Sequence, residues 1–187
     1  MVRLIETRRF KDERGWFAET YNQDRLAELG ITETFIQDNQ AMSGPVGVLR
    51  GLHFQRPPYA QAKLVRCIRG RIWDVAVDVR TGSPTFGQAI GAELSADNGQ
   101  QLYVPPGYAH GYVTLEPDSE VAYKVSARYA PETEGGILWS DPDLAIAWPL
   151  PPQGPLIAEK DQRLPLLRDL KSPFVFEEAS LAVAGAA

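Results

Sequence analysis

Apolar and polar residues alternate with a period of two in ten stretches of the chain: 2–9, 16–21, 34–38, 46–55, 62–69, 72–79, 88–94, 101–104, 111–115 and 121–129. Successive side chains of an extended backbone point to opposite faces, so each stretch predicts a β-strand. The segments between them, among them "DERG", "RTGSPTFG", "SADNGQ" and "EPDSE", carry the Gly, Pro, Asp and Asn that tight turns require. Short strands at this spacing predict a mostly β protein, an antiparallel sandwich or barrel with a few short helices. One helix is expected over 22–30, where Asn22 can cap, Leu26 and Leu29 give an apolar stripe and Gly30 ends it. A second short helix is expected to begin near Glu159.

From Pro131 the pattern changes. "WSDPDLAIAWPLPPQGP" is dense in proline, which cannot donate to a sheet ladder, so this segment is expected to wrap the barrel rather than extend it. The closing "EEASLAVAGAA" is too short for a stable isolated helix. The expected organisation is a single domain over 1–176 and a disordered tail over 177–187.

Composition narrows the function classes. A chain of 187 residues suits one domain, and 44% hydrophobic with 23% charged residues is ordinary for a soluble globular protein. No apolar run approaches the roughly 20 residues that span a bilayer, which argues against a membrane role. A formal net charge of -5 argues against nonspecific nucleic-acid binding. The N-terminus lacks the apolar centre of a secretory signal, and Cys67 alone cannot form an internal disulfide, so a reducing cytoplasm is the expected location. Cys67 lies in the alternating "KLVRCIRG" and is read as a packed small hydrophobe. The sequence has no P-loop, GxGxxG or CxxC pattern.

Candidate chemistry gathers on few residues. Both of the chain's histidines stand near glycine, His53 in "GVLRGLHFQRPP" and His110 in "PPGYAHGY". A lone histidine of this kind is commonly a hydrogen-bonded structural residue. An imidazole in a barrel also suits general acid and base work, because its ordinary pKa is near the working pH. Proton removal beside a carbonyl further needs a cation where the enolate charge collects and an acid on the other face. Arg50 and Lys63 are candidates for the first, Tyr123 and Tyr129 for the second. In a regular strand the two tyrosines would share a face with Val121 and Val125. Arg50 and His53, three apart, would point to opposite faces unless a bulge or twist near Gly51 re-aims one of them.

Gly99, Pro105, Gly107 and His110 follow a spacing that resembles the second motif of the cupin superfamily, and Gly47 with His53 resembles the start of the first. Metal-holding cupins continue with His-x-His and a Glu, whereas here Gln55 stands at the second histidine. A cupin-like antiparallel β-barrel (jelly roll) with no metal and no cofactor is therefore expected.

"VLRGLHFQ", "QAKLVRCIRGRIWDVAVDVR", "LYVPPGYAHGY", "YKVSARYAPETEGGILWSDP" and "IAWP" followed by "PLIAEKD" together resemble the dTDP-4-dehydrorhamnose 3,5-epimerase family, from about residue 4 to residue 167. The resemblance implies an isomerase that inverts C3, C5 or both in dTDP-4-keto-6-deoxy-D-glucose, whose 4-keto group acidifies both neighbouring carbons. Relatives that act at one carbon, and nucleotide-sugar 3,4-ketoisomerases, are the alternatives. By analogy His53 is the base, Asp161 the carboxylate that orients it and Tyr123 the acid. Arg50, Lys63, His110 and Tyr129 would bind substrate. The match of "DERGWFAETYN" and "IQDNQ" to nucleotide-binding segments adds Arg14, Phe17, Glu19, Gln37 and Asn39 as binding residues, some acting across a homodimer interface.

Overall fold

The computed structural model describes residues 1–177. In chain order its elements are β1 (Arg3–Ile5), β2 (Arg9–Asp12), β3 (Gly15–Ala18), α1 (Gln23–Glu28), β4 (Gln37–Ser43), β5 (Val48–Gln55), β6 (Lys63–Arg69) and β7 (Arg71–Asp78). There follow β8 (Ala89–Ser95), β9 (Gln101–Val104), β10 (Tyr108–Thr114), β11 (Ser119–Val125), β12 (Glu134–Gly136), β13 (Leu156–Ile157) and α2 (Glu159–Gln162). One sheet has the order β1-β9-β6-β11-β4 and the facing sheet the order β12-β5-β10-β7-β8, while β2 and β3 form a separate hairpin. The second sheet also takes β13, which runs parallel to β5.

Three apolar clusters hold these layers. Between the sheets lie Val65, Ile72, Leu94, Leu102 and Val121 with Cys67, the packed hydrophobe its alternating strand predicted. On the outer side of the second sheet, Leu52, Phe54 and Val77 are covered by Ile137, Leu144 and Phe174, so the proline-rich segment does wrap the barrel. On the outer side of the first sheet, Leu26 and Ile31 cover Leu64 and Tyr103. Asn22 caps α1 by accepting the amides of Asp24 and Arg25, and Gly30 ends it with a φ of +75°. Leu29, expected on the apolar stripe, is instead exposed, because α1 ends at Glu28 and Leu29 is its C-cap, leaving Leu26 as the helix's buried residue.

Several predicted boundaries differ from the structure. The stretch 2–9 contributes to two strands with different partners, β1 on β9 and β2 on β3; alternation reports extension, not pairing. The stretch 34–38 only touches β4, whose polar sequence "QDNQAMS" carries no apolar alternation to read. Two short strands arise in the segment expected only to wrap: β12 and β13 both pair with β5, at 53–55 and at 48–49. The stretch 121–129 ends at Val125, because the Ser126 hydroxyl takes the Ala62 amide at 2.8 Å and the chain turns away. Tyr123 and Tyr129 therefore do not share a strand face. The expected C-terminal tail falls, apart from Glu177, outside the described residues.

Candidate active site

The site grows from an irregularity in β5. His53 stands opposite His110 and Arg50 opposite Tyr112, so β5 advances three residues where β10 advances two. The extra residue restores the face that a three-residue step would lose. Gly51 makes this possible: its φ is +118°, and a Cβ there would meet Gly111 Cα at 2.6 Å and the His110 carbonyl oxygen at 2.7 Å. Arg50 and His53 consequently join His110 and Tyr112 around one cavity of about 520 Å³ between the sheets.

The facing sheet supplies the other wall. Tyr123 pairs with Val65 on one side and Asn39 on the other, and Val125 pairs with Lys63 and Gln37. Lys63, Tyr123, Asn39 and Gln37 thus share the inner face by register. A second compartment of about 330 Å³ is bordered by Gln37, Asn39 and Tyr129, and it shares His53, Lys63, Tyr123 and Glu134 with the first. Tyr129, though off the strand, still borders this space.

Asp161 arrives from the C-terminal segment. β13 lies along β5 at Val48 and Leu49, and α2 follows directly. Asp161 is buried, with Oδ1 at 2.8 Å from His53 Nε2 and Oδ2 accepting the Gly51 amide at 3.2 Å. Burial alone would raise its pKa. The hydrogen bond and charge of His53, the Gly51 amide and nearby Lys160 outweigh burial and hold it below the usual carboxylate value. An ionised carboxylate can only accept, so His53 Nε2 carries a proton, and whenever the imidazole is neutral its lone pair is on Nδ1.

A second histidine–carboxylate pair lies beside the first. His110 Nε2 is 2.8 Å from Oδ1 of the fully buried Asp74. Burial lowers the pKa of His110 more than Asp74 raises it, and Lys63 and His53 lower it further, so His110 is neutral at neutral pH. Lys63 is itself lowered to about 8 by burial, opposed by Asp74 and Glu134. Tyr123 is raised by burial, partly offset by Arg50, and keeps its proton.

The remaining expected residues lie apart from this centre. Glu19 pairs with Arg25 at 3.1 Å and borders an outer cavity of about 490 Å³ that also reaches Asn39 and Tyr123. Arg14 and Phe17 sit on the β2–β3 hairpin, where Arg14 binds Asp12 at 2.5 Å and Phe17 is 69% exposed. Neither borders the His53 cavity within one chain.

Sequence reasoning missed Tyr112, Glu134 and Lys160, which all border the cavity, and Asp74 behind it. Tyr112 could have been found two residues beyond His110 on the same face. Asp74 could have been found as a lone carboxylate in "IWDVAVD". Glu134 and Lys160, paired at 3.1 Å, gave no local signal, since they meet only through β12 and α2. Among the described residues, no group of three or more His, Cys, Asp or Glu side chains could hold a metal ion, and no helix is long and apolar enough to cross a membrane.

A jelly roll of the cupin-like type, with its polar cavity between two sheets, has the architecture of an isomerase class of enzymes. The family model described as dTDP-4-dehydrorhamnose 3,5-epimerase matches residues 1–169, and the chain belongs to that family. The dTDP-4-dehydrorhamnose 3,5-epimerase of Salmonella typhimurium is 52% identical over 167 residues, covering 89% of this chain and 90% of its own. A crystal structure of the Bacillus anthracis epimerase with TDP and PPi bound is 49% identical, covers 88% of this chain and 93% of its own, and superposes with a TM-score of 0.85. The Legionella pneumophila dTDP-6-deoxy-D-glucose-3,5-epimerase, in complex with dTDP-4-keto-L-rhamnose, is 43% identical, covers 95% and 94%, and has a TM-score of 0.90.

Proposed function

We propose that the cavity binds dTDP-4-keto-6-deoxy-D-glucose and inverts C3 and C5 by proton removal and return beside the 4-keto group. One observation carries this reading: His53 and Tyr123 border the same cavity from opposite sheets. Nδ1 of His53 takes the proton from carbon, the C–H electrons pass into an enolate, and Tyr123 returns a proton to the other face. Lys63 and Arg50 bear the positive charge that the enolate oxygen and the substrate's anionic groups require. Neutral His110 offers a hydrogen bond without competing for the proton. The TDP bound in the Bacillus structure and the dTDP-4-keto-L-rhamnose bound in the Legionella structure support a thymidine-diphosphate sugar as substrate.

The working unit is read as a homodimer. Phe10, Trp16 and Phe17 are exposed on the β2–β3 hairpin, and Arg14 lies beside them. Packed against a second copy, this hairpin would bring an aromatic face and an arginine to the nucleotide end of the partner's cavity. Residues 1–176 are read as one catalytic domain working in a reducing cytoplasm without a cofactor. Incubation with dTDP-4-keto-6-deoxy-glucose in D₂O, followed by mass and NMR analysis, tests the reading. Deuterium at both C3 and C5 with inverted product is expected. One labelled carbon would mean a single-site epimerase, carbonyl migration a ketoisomerase, and no label would reject the mechanism.

A further inference from the structure

Gln55 lies two residues beyond His53 on β5, where a metal-holding cupin would place a ligand, and it is only 4% exposed. Its amide is committed to the backbone. Nε2 donates to the carbonyl oxygens of Tyr59 at 2.7 Å and Arg128 at 3.0 Å, and Oε1 accepts the Ala130 amide at 2.9 Å.

The second and third of these partners bracket Tyr129. The Arg128 carbonyl belongs to the peptide plane before the Tyr129 Cα, and the Ala130 amide to the plane after it. Holding both planes fixes φ and ψ at Tyr129, and with them the direction of its Cα–Cβ bond. Tyr129 needs such a restraint, because β11 has ended at Val125 and the ring is 57% exposed. Neighbouring tethers stop short of it: Gln61 holds the Ala127 carbonyl, and Thr133 the Ala130 carbonyl.

We infer that Gln55 is the positioning residue for Tyr129, aiming its ring at the border of the second compartment as a flat wall against the bound substrate. The inference rests on the nucleotide-sugar reading above. A planar ring stacks only if it is presented edge and face in the right direction, so the main chain beneath it sets affinity. Gln55 acts on binding through Tyr129, not on proton transfer.

Kinetics of Gln55→Met, Tyr129→Ala and the double variant test this with dTDP-4-keto-6-deoxy-glucose. Gln55→Met keeps the side-chain volume and removes all three hydrogen bonds. It should raise KM about tenfold with kcat within about twofold, the signature of lost uniform binding. In the double variant KM should rise no further than in Tyr129→Ala. Multiplying KM effects, or a fall in kcat at constant KM, would overturn the inference. Should Gln55→Met not fold, Gln55→Glu keeps the acceptor for Ala130, loses both donors, and must show the same coupling. Amide hydrogen exchange gives an arm independent of substrate: faster exchange at Ala130 in the Gln55 variants is expected, and unchanged protection there would reject the tether. An unmodified enzyme that does not turn over the sugar would sink the functional reading while this arm still decides the role of Gln55.

Discussion

His53 Nε2 lies 2.8 Å from Asp161 Oδ1, a contact made across 108 residues of sequence. The contact joins a strand of the second sheet to a short helix at the far end of the chain, and it sets the tautomer of the imidazole.

Asp161→Asn should therefore lower kcat by at least about 10²-fold, and His53→Ala by about 10²- to 10⁴-fold, both in folded protein. Steady-state kinetics with circular dichroism checks this, and near-normal turnover in His53→Ala would remove His53 as the base. The same carboxylate has a pH signature. Its folded pKa lies below the ordinary 3.8, so the stability it contributes is complete above that value and is lost as pH falls through the lower, folded value. Acid titration of Asp161→Asn should show a smaller loss in that window than the unmodified chain.

Tyr123→Phe separates the two half-reactions. With His53 intact, deuterium from D₂O should still enter the substrate at C3 and C5, while inverted product falls by about 10²-fold or more. Loss of exchange together with inversion would mean that Tyr123 is needed before the proton leaves.

In the role proposed for it, Lys63 would exchange stability for function. Its pKa falls from 10.5 to about 8 by burial, so below pH 8 the folded state holds a charge in a place where charge is disfavoured. That cost is relieved as pH rises from about 8 toward 10.5, because only the unfolded chain then retains the proton. Lys63→Met should raise stability at pH 7 by about 1–3 kcal/mol while abolishing turnover. Denaturant melts at pH 7 and pH 9.5 check it, and the gain should shrink at the higher pH. In the unmodified enzyme, activity should decline through about pH 8 as the cation is lost.

Gly51→Ala should cost more than about 2 kcal/mol and much of the activity, because the new Cβ meets backbone at 2.6 Å and 2.7 Å. Thermal melts and kcat measure both. An active, fully stable variant would show that the bulge in β5 can re-form without glycine.

The fold was legible wherever apolar alternation reports burial. β6, β7 and the start of β5 follow it closely, since their faces meet core on one side and cavity or wrap on the other. β4 escaped because both of its faces are polar: Gln37 and Asn39 border the cavity while Asp38 and Gln40 face outward. The need for an irregularity at Gly51 was also legible, from two polar residues at an odd spacing beside a glycine. What pattern could not supply was tertiary arrival. Glu134 and Lys160 reach the cavity on short strands and a helix that exist only because β5 offers them a free edge. Arg14 and Phe17 show the converse: residues matched by motif, yet absent from the cavity's border in a single chain.

The parallel pairing of β13 with β5 has a temporal consequence. Every strand of both sheets except β13 precedes residue 137, and His53, Lys63 and Tyr123 all lie on those earlier strands. A ribosome that stopped before residue 155 would thus release a chain holding all three of those side chains without Asp161, the carboxylate proposed to orient His53. On the mechanism proposed above, the carboxylate that orients the base is delivered last, with the docking of Leu156 and Ile157, so turnover would report that translation had passed residue 161.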